Sequence, residues 1–314
     1  MSHSQIICVT GAAGFIGAHL LSALVGDGRT IRVLSRSAER QFEGEVETHV
    51  GNLLDRKSLV SFLAGADLLI NLAHPAESVS DEEFLRAISN LAIMAREAEV
   101  KRVVHVSTAM VVGVPQGDVV DERATLRPVT AYEKRKCLAE DVFLNELSSV
   151  SDIGVLRPTA VFGRGSLNLL KLSSTIADGS VWYREVLRFL HGTRHMHLVS
   201  VEDVVAAICF LAFIERPLNG NVFLVSADEE PNNNYQSVDA RLGQVMGKPG
   251  FKMNVALPCW MLKQILAVTG RSQSNPQLVF DASKLKSWGF VAPAVFDEKL
   301  AEFAESYMAE RNLK

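Results

Sequence analysis

The stretch TGAAGFIG, residues 10–17, joins a short β-branched run, QIICVT at 5–10, to a helical pattern at 15–26. Gly11, Gly14 and Gly17 follow a G-x-x-G-x-x-G spacing. Glycine at these points permits a tight turn, close approach of backbone N–H groups to a pyrophosphate, and close packing of helix on strand. The start of the following helix adds partial positive charge for phosphates. Strand, glycine turn and helix in that order read as the first unit of a dinucleotide-binding sheet. Gly11, Ala13, Gly14, Phe15, Ile16 and Gly17 are then expected to line the cofactor.

Outward from this turn the pattern repeats. TIRVLS (30–35), DLLINLA (67–73), RVVHVST (102–108) and IGVLRP (153–158) are apolar at nearly every position. Strands of that kind are buried on both faces, as in a parallel sheet. Helical patterns at 56–64, 81–98 and 132–147 separate them. The alternation implies right-handed βαβ units and a doubly wound Rossmann sheet, an α/β fold. After Gly165 the rhythm breaks, and 166–196 reads as a helix and a loop. HLVSV (197–201) and NVFLV (221–225) bracket a helix at 202–214 and are expected to return two strands to the sheet. The expected organisation is a Rossmann domain over 1–165, completed by 197–227. A smaller, mostly helical C-terminal substrate lobe is built from 166–196 and 228–314.

The end of the second strand bears on which dinucleotide is bound. A carboxylate there suits the ribose of NAD(H), and an arginine suits the 2′-phosphate of NADP(H). Here the strand ends LSRS, with Arg36 and no carboxylate until Glu39. The reading is NADP(H), with NAD(H) second; alternatively Arg36 only opens a solvated stretch. GNLLD (51–55) places Asn52 and Leu53 to flank an adenine, and NLAHPA (71–76) offers Leu72 and the small Ala73 as a cofactor wall.

The segment YEKRK sets Tyr132 and Lys136 four residues apart on one helical face. A phenol titrates near 10, and a neighbouring ammonium lowers it toward working pH. VSTAMVVG (106–113) leaves the fifth strand with two hydroxyls, Ser107 and Thr108, at the sheet end where α/β folds bind ligands. One hydroxyl can donate to a substrate oxygen beside the tyrosine. Tyr132, Lys136 and Thr108 are the candidate catalytic group.

Composition is that of a globular protein, with 48% hydrophobic and 22% charged residues and a net charge of −4. That balance gives no electrostatic reason to expect nucleic acid or an anionic membrane as partner. The start of the chain has no signal-peptide pattern, and the four cysteines stand apart, so reduced thiols and a cytoplasmic protein are expected. No histidine has a carboxylate or cysteine at metal-ligand spacing. Trp182, Tyr183 and Trp260 read as core residues or as lining of an apolar pocket.

Taken together, TGAAGFIG, GNLLD, NLAHPA, VSTAMVVG, YEKRKCLAE, LRPTAVFG and HLVSVEDV resemble the extended short-chain dehydrogenase/reductase superfamily. The likeness is to its nucleotide-sugar epimerase/dehydratase branch and covers roughly 1–215. The resemblance implies that Tyr132 is the acid/base, that Lys136 holds the ribose, and that Thr108 is the catalytic hydroxyl with Ser107 beside it. It also implies that Pro158 and Thr159 pass along the nicotinamide, and that helices 81–98 and 132–147 form a homodimer interface. The chain departs from the pattern in three places. Arg135 replaces the usual serine before the lysine, Phe84 stands where a relay asparagine is common, and Met196 stands where an arginine often grips the substrate diphosphate. Arg194, His195 and His197 are the nearest basic residues. HLVSVEDV is closer to sugar-nucleotide 4-ketoreductases. The expected activity is reduction of a keto sugar nucleotide, with an epimerase as alternative and a non-catalytic NAD(P)-binding regulator as a reading from another class.

Overall fold

The computed structural model describes residues 5–26, 28–248, 256–268 and 275–312. Parts of the C-terminal stretch expected to be mostly helical, 249–255 and 269–274, lie outside the described residues. The chain forms two compact units. One comprises Met1–Val111, Thr130–Arg157 and Val205–Phe223; the other comprises Val112–Val129, Pro158–Val204 and Leu224–Lys314. No described helix is long and apolar enough to cross a membrane.

The first unit opens with β1 (Ile6–Thr10), α1 (Phe15–Leu24), β2 (Thr30–Ser35), β3 (Glu47–Val50) and α2 (Arg56–Leu63). It continues with β4 (Leu68–Asn71), α3 (Asp81–Glu97) and β5 (Arg102–Val106). After β6 (Val119–Val120), which belongs to the other unit, α4 (Ala131–Leu147) and β7 (Asp152–Pro158) follow. A seven-stranded sheet runs β10-β7-β5-β4-β1-β2-β3, with parallel pairing from β7 through β3. β4, with all four residues buried, shows why such a strand carries no polar alternation. The chain direction of the strand order reverses between β1 and β4, which opens a crevice at their carboxyl ends.

Two helices covering this sheet start on reciprocal caps. Ser80 and Glu83 cap α3, and Thr130 and Glu133 cap α4, each satisfying two otherwise orphaned N–H groups. Phe62, Phe84 and Phe143, from α2, α3 and α4, are fully buried against Cys8, Leu69 and Val103 of the sheet. Each such ring contributes on the order of 2–3 kcal/mol. Truncating Phe143 would therefore loosen the helix that carries Tyr132.

The second unit holds β8 (Ala160–Phe162), α5 (Leu170–Asp178), α6 (Val181–His191) and β9 (Leu198–Ser200). The chain then passes through α7 (Val201–Phe213) and β10 (Asn221–Val225), which reach into the first unit, to α8 (Tyr235–Val245) and α9 (Cys259–Val268). β11 (Val279–Phe280), α10 (Ser283–Ser287) and α11 (Phe296–Asn312) complete it. β8 pairs with β9 and β6 with β11, both in parallel. Phe162, Leu198, Val238, Leu242, Leu300 and Phe303 form its core.

Two expectations for this region need correction. Of the strands expected to return to the sheet, only β10 does so; β9 pairs with β8 instead. Pro158 ends β7 without an N–H to offer, and the chain beyond it provides the free edge that β9 takes. The segment 166–196 contains two helices, not one and a loop. The N–H of Gly179 closes α5 on the Thr175 carbonyl, and the Ser180 hydroxyl caps α6 by accepting from the Tyr183 N–H.

Candidate active site

The glycine turn is forced by contact. Gly11 has φ +70, and a Cβ there would lie 2.6 Å from the Leu72 carbonyl carbon. A Cβ on Gly17 would lie 2.4 Å from the Gly11 oxygen. The turn thus folds tightly between β4 and α1, leaving room for a backbone and nothing more. Gly14 caps α1 with no side-chain hydrogen bond, so the N–H groups of Phe15, Ile16 and Gly17 form an uncapped first turn. Such a turn suits an anion.

Ala13, within the turn, accepts a hydrogen bond through its carbonyl from Arg40 at 2.9 Å. Arg40 and Arg36 are both exposed. Reading only the end of β2 finds Arg36 and misses Arg40, whose role depends on the loop folding back. Asn52 serves its own turn, its side-chain oxygen accepting from the Leu54 N–H. Leu53 packs against the helical core, and its carbonyl accepts from Asn90.

Across the strand ends runs a buried polar row. The Thr10 hydroxyl donates to the Asn71 side-chain oxygen at 2.5 Å, which also accepts from the Ala73 N–H at 3.1 Å. The Asn71 amide meets His105 Nδ1 at 2.9 Å. His105 stacks on Phe143, and burial pushes its pKa down to about 3, so it is neutral. This row ties β1, β4 and β5 together beneath the crevice and holds Leu72 and Ala73 at its edge.

Ser107 and Thr108 follow β5 directly. The Ser107 N–H donates to the Leu156 carbonyl at 2.8 Å, while its buried hydroxyl has no partner. The Thr108 hydroxyl accepts from the Met110 N–H at 3.2 Å and is hydrogen-bonded to Tyr132. The structure therefore brings Thr108 and Tyr132 together. Burial raises the Tyr132 pKa above its ordinary value; the Thr108 bond pulls it down and Glu77 pushes it up. Lys136 lies one turn further along α4 from the phenol. Its Nζ is buried and donates to the Val106 carbonyl at 3.2 Å, and burial pushes its pKa down to about 8.

His74, next to Ala73 in the NLAHPA segment, also belongs to this group. Its ring meets Tyr132 edge-on at 5.4 Å and Phe84 at 5.3 Å. Burial, with Lys136 and Arg135 nearby, pushes its pKa down to about 4, and its buried Nε2 has no partner. Arg135, in place of the usual serine, binds the preceding loop: it donates to Asp81 at 2.8 Å and to the Val79 carbonyl at 2.7 Å. The helix bearing Tyr132 and the loop bearing His74 are thereby fastened to each other.

In the second unit Pro158 ends β7, and the buried Thr159 hydroxyl has no partner. The His195 N–H donates to the Pro276 carbonyl, and the Arg194 carbonyl accepts from the Tyr235 N–H. The ring of His195 stacks on His197, which is held by buried Asp228 at 2.6 Å. Trp182, Tyr183 and Trp260, expected in the core or in a pocket, are exposed. No group of three or more metal-ligating side chains occurs among the described residues.

A dinucleotide fits the first unit's donors: a turn that only glycine permits, uncapped N–H groups, exposed arginines, and an orphaned Ser107 hydroxyl beyond. Comparisons with known proteins agree. Residues 7–225 match the NAD dependent epimerase/dehydratase family. The chain is 26% identical to N-acetyl-alpha-D-glucosaminyl-diphospho-ditrans,octacis-undecaprenol 4-epimerase of Escherichia coli O157:H7, over 94% of this chain and 92% of that one. It is 32% identical to sterol demethylase protein B of Methylococcus capsulatus, over 70% and 69% respectively. Among solved structures, MoeE5 in complex with UDP-glucose and NAD superposes with a TM-score of 0.68 at 25% identity, covering 98% of this chain and 99% of that one. A putative epimerase from Burkholderia cenocepacia shares the fold with a TM-score of 0.74 at 20% identity, over 98% and 99%. The chain is a member of the NAD-dependent epimerase/dehydratase family, an NAD(P)-dependent enzyme of the extended short-chain dehydrogenase/reductase type.

Proposed function

We propose that this enzyme reduces a keto sugar nucleotide with NADP(H). The observation that carries the reading is the pair of arginines by the glycine turn, with Arg40 on the Ala13 carbonyl, Arg36 just past β2, and no carboxylate closing that strand. Two guanidinium groups suit a 2′-phosphate. A reductase that trades cofactor each turnover draws on NADPH.

The dinucleotide supplies the hydride. Gly11, Ala13, Gly14, Phe15, Ile16 and Gly17 hold its pyrophosphate, Asn52 and Leu53 border the adenine, and Leu72 and Ala73 form a wall. Ser107, Pro158 and Thr159 serve the nicotinamide end. Tyr132, kept protonated at neutral pH by burial, gives its proton to the carbonyl oxygen as negative charge develops there. The Thr108 hydroxyl turns its single proton from the phenol to the same carbonyl oxygen and donates there beside Tyr132. Lys136 binds the ribose and restores the proton. Arg194 and His195 take the substrate diphosphate. A homodimer through α3 and α4 is supported by Leu85 and Leu138, apolar side chains that these helices leave exposed.

A second reading, an epimerase, is favoured by the end-to-end likeness to the undecaprenol-linked sugar epimerase and by NAD in the MoeE5 complex. Incubation with NADPH and a 4-keto sugar nucleotide separates the two. Reduction consumes one NADPH per product formed. Interconversion of sugar epimers with no net change in dinucleotide would replace the reductase with the epimerase.

A further inference from the structure

A guanidinium and three aromatic rings form a row that starts and ends on α4. Arg135 lies over the Phe84 ring, 5.3 Å from its centre. Phe84, fully buried on α3, meets His74 edge-on at 5.3 Å. His74 in turn meets Tyr132 edge-on at 5.4 Å. Arg135 and Tyr132 are three residues apart, so both ends of the row stand on neighbouring positions of one helix. Edge-to-face packing is directional, and a row of such contacts passes orientation from ring to ring.

The two ends are held differently. Arg135 donates to Asp81 at 2.8 Å, to the Val79 carbonyl at 2.7 Å and to the Glu77 carbonyl at 3.3 Å. These bonds pin the segment between β4 and α3, which carries His74. Tyr132, by contrast, sits in the first turn of α4 and is 37% exposed. Its bond to Thr108 fixes the hydroxyl but leaves the ring free to pivot about its side-chain torsions. His74 braces that ring. The Nε2 of His74 has no partner, so packing sets the tilt of the imidazole, not a hydrogen bond at that nitrogen. Burial keeps the imidazole neutral, and it places no charge beside the phenol.

We propose that His74 is a positioning residue for Tyr132. Backed by Phe84 and Arg135, it holds the phenol in the orientation from which the hydroxyl meets a carbonyl oxygen. Proton transfer requires the heavy atoms to come within about 2.6–3.2 Å, and a pivoting phenol loses that approach. Binding of dinucleotide or substrate does not depend on the tilt of the phenol, so the role shows in kcat and not in KM. The proposal rests on Tyr132 as the proton donor and adds what aims it.

The test is steady-state kinetics of the full-length enzyme with NADPH and a UDP-linked 4-keto sugar. Thermal unfolding establishes that each variant is folded. His74→Ala is expected to lower kcat roughly 10–100-fold, with KM and NADPH affinity nearly unchanged. His74→Phe keeps a ring while dropping both nitrogens, and is expected to recover most of that loss. Arg135→Lys cannot bond three groups and also lie over Phe84, so kcat should fall by a smaller factor in the same pattern. In a Tyr132→Phe background, His74→Ala is expected to cost nothing further, as befits a residue acting through the lost hydroxyl. Unchanged kcat in His74→Ala, while Tyr132→Phe loses turnover, overturns this inference alone. So does a His74→Phe variant as impaired as His74→Ala, which would give the imidazole nitrogens a part in the chemistry. Full turnover by Tyr132→Phe overturns the proton donor and this inference together.

Discussion

Helices α4 and α6 both carry cations into the protein interior, yet the surroundings answer them differently. On α6, Arg184 and Arg188 converge on one buried carboxylate, that of Asp239. On α4, Lys136 finds the carbonyl of Val106, while Glu140, the carboxylate that bears on it, is already bound by Arg157 at 2.9 Å. A cation answered by a carboxylate is fixed in charge and position and acts as a rivet. A cation answered by a carbonyl is left easier to deprotonate, and its remaining donors stay available to a ligand. The difference separates a structural ion pair from a reactive group, and it rests on partners, because burial is similar in the two cases.

The comparison breaks most decisively at Tyr132, one turn before Lys136. Tyr132→Phe is expected to lower kcat by roughly 10²–10⁴-fold, the usual worth of a general acid. NADPH affinity and melting temperature should stay nearly unchanged, since only the hydroxyl is lost. Steady-state kinetics with isothermal titration would show it, and retained turnover would remove α4 from the chemistry.

The rivet on α6 comes next. Asp239→Asn leaves two buried guanidinium groups without their counter-charge and is expected to cost about 3–5 kcal/mol in urea unfolding. A loss below about 1 kcal/mol would mean that the cluster does not fix the helix.

Lys136 gives a signature in pH. Its pKa in the folded chain lies near 8, below the ordinary 10.5. Below pH 8 both states carry the proton, and burying the charge works against folding. Between pH 8 and 10.5 the unfolded chain keeps a proton that the folded chain releases, so stability rises with pH across that window. The shift corresponds to about 3 kcal/mol. In Lys136→Met the rise from this group should vanish, with the variant more stable than wild type at pH 7. Parallel stability–pH curves for the two proteins would contradict the assignment.

The smallest effect concerns cations held at the surface. Arg40→Ala is expected to reduce the preference for NADPH over NADH by about tenfold, and Arg36→Asp by more, as charge-assisted hydrogen bonds are lost. Ratios of kcat/KM for the two cofactors measure it, and an unchanged ratio from both variants would place the 2′-phosphate elsewhere.

What could be read in the sequence follows from the range of the forces involved. The β1–α1 turn was legible because Gly11 and Gly17 are required by atoms a few residues away or on the neighbouring strand, and their spacing records it. Tyr132 and Lys136 were legible as one helical face. The turn of Lys136 toward Val106 was not, because it depends on a strand thirty residues earlier. The burial of Arg184 and Arg188 on α6 was hidden for the same reason. VWYREVLRFLH reads as an ordinary amphipathic helix until Asp239, more than fifty residues on, claims its arginines. Trp182, Tyr183 and Trp260 were accordingly expected inside and stand outside. His74 was in plain view within NLAHPA, and only the packing of α3 and α4 shows that it meets the tyrosine.

The most direct test of the central claim, an enzyme that exchanges NADP(H) at the Tyr132 site, is to denature the purified protein and quantify released dinucleotide by mass spectrometry. The protein is expected to emerge largely empty and then to take up NADPH reversibly. Stoichiometric, tightly held NAD would contradict it and point to an epimerase that keeps its cofactor through every turnover.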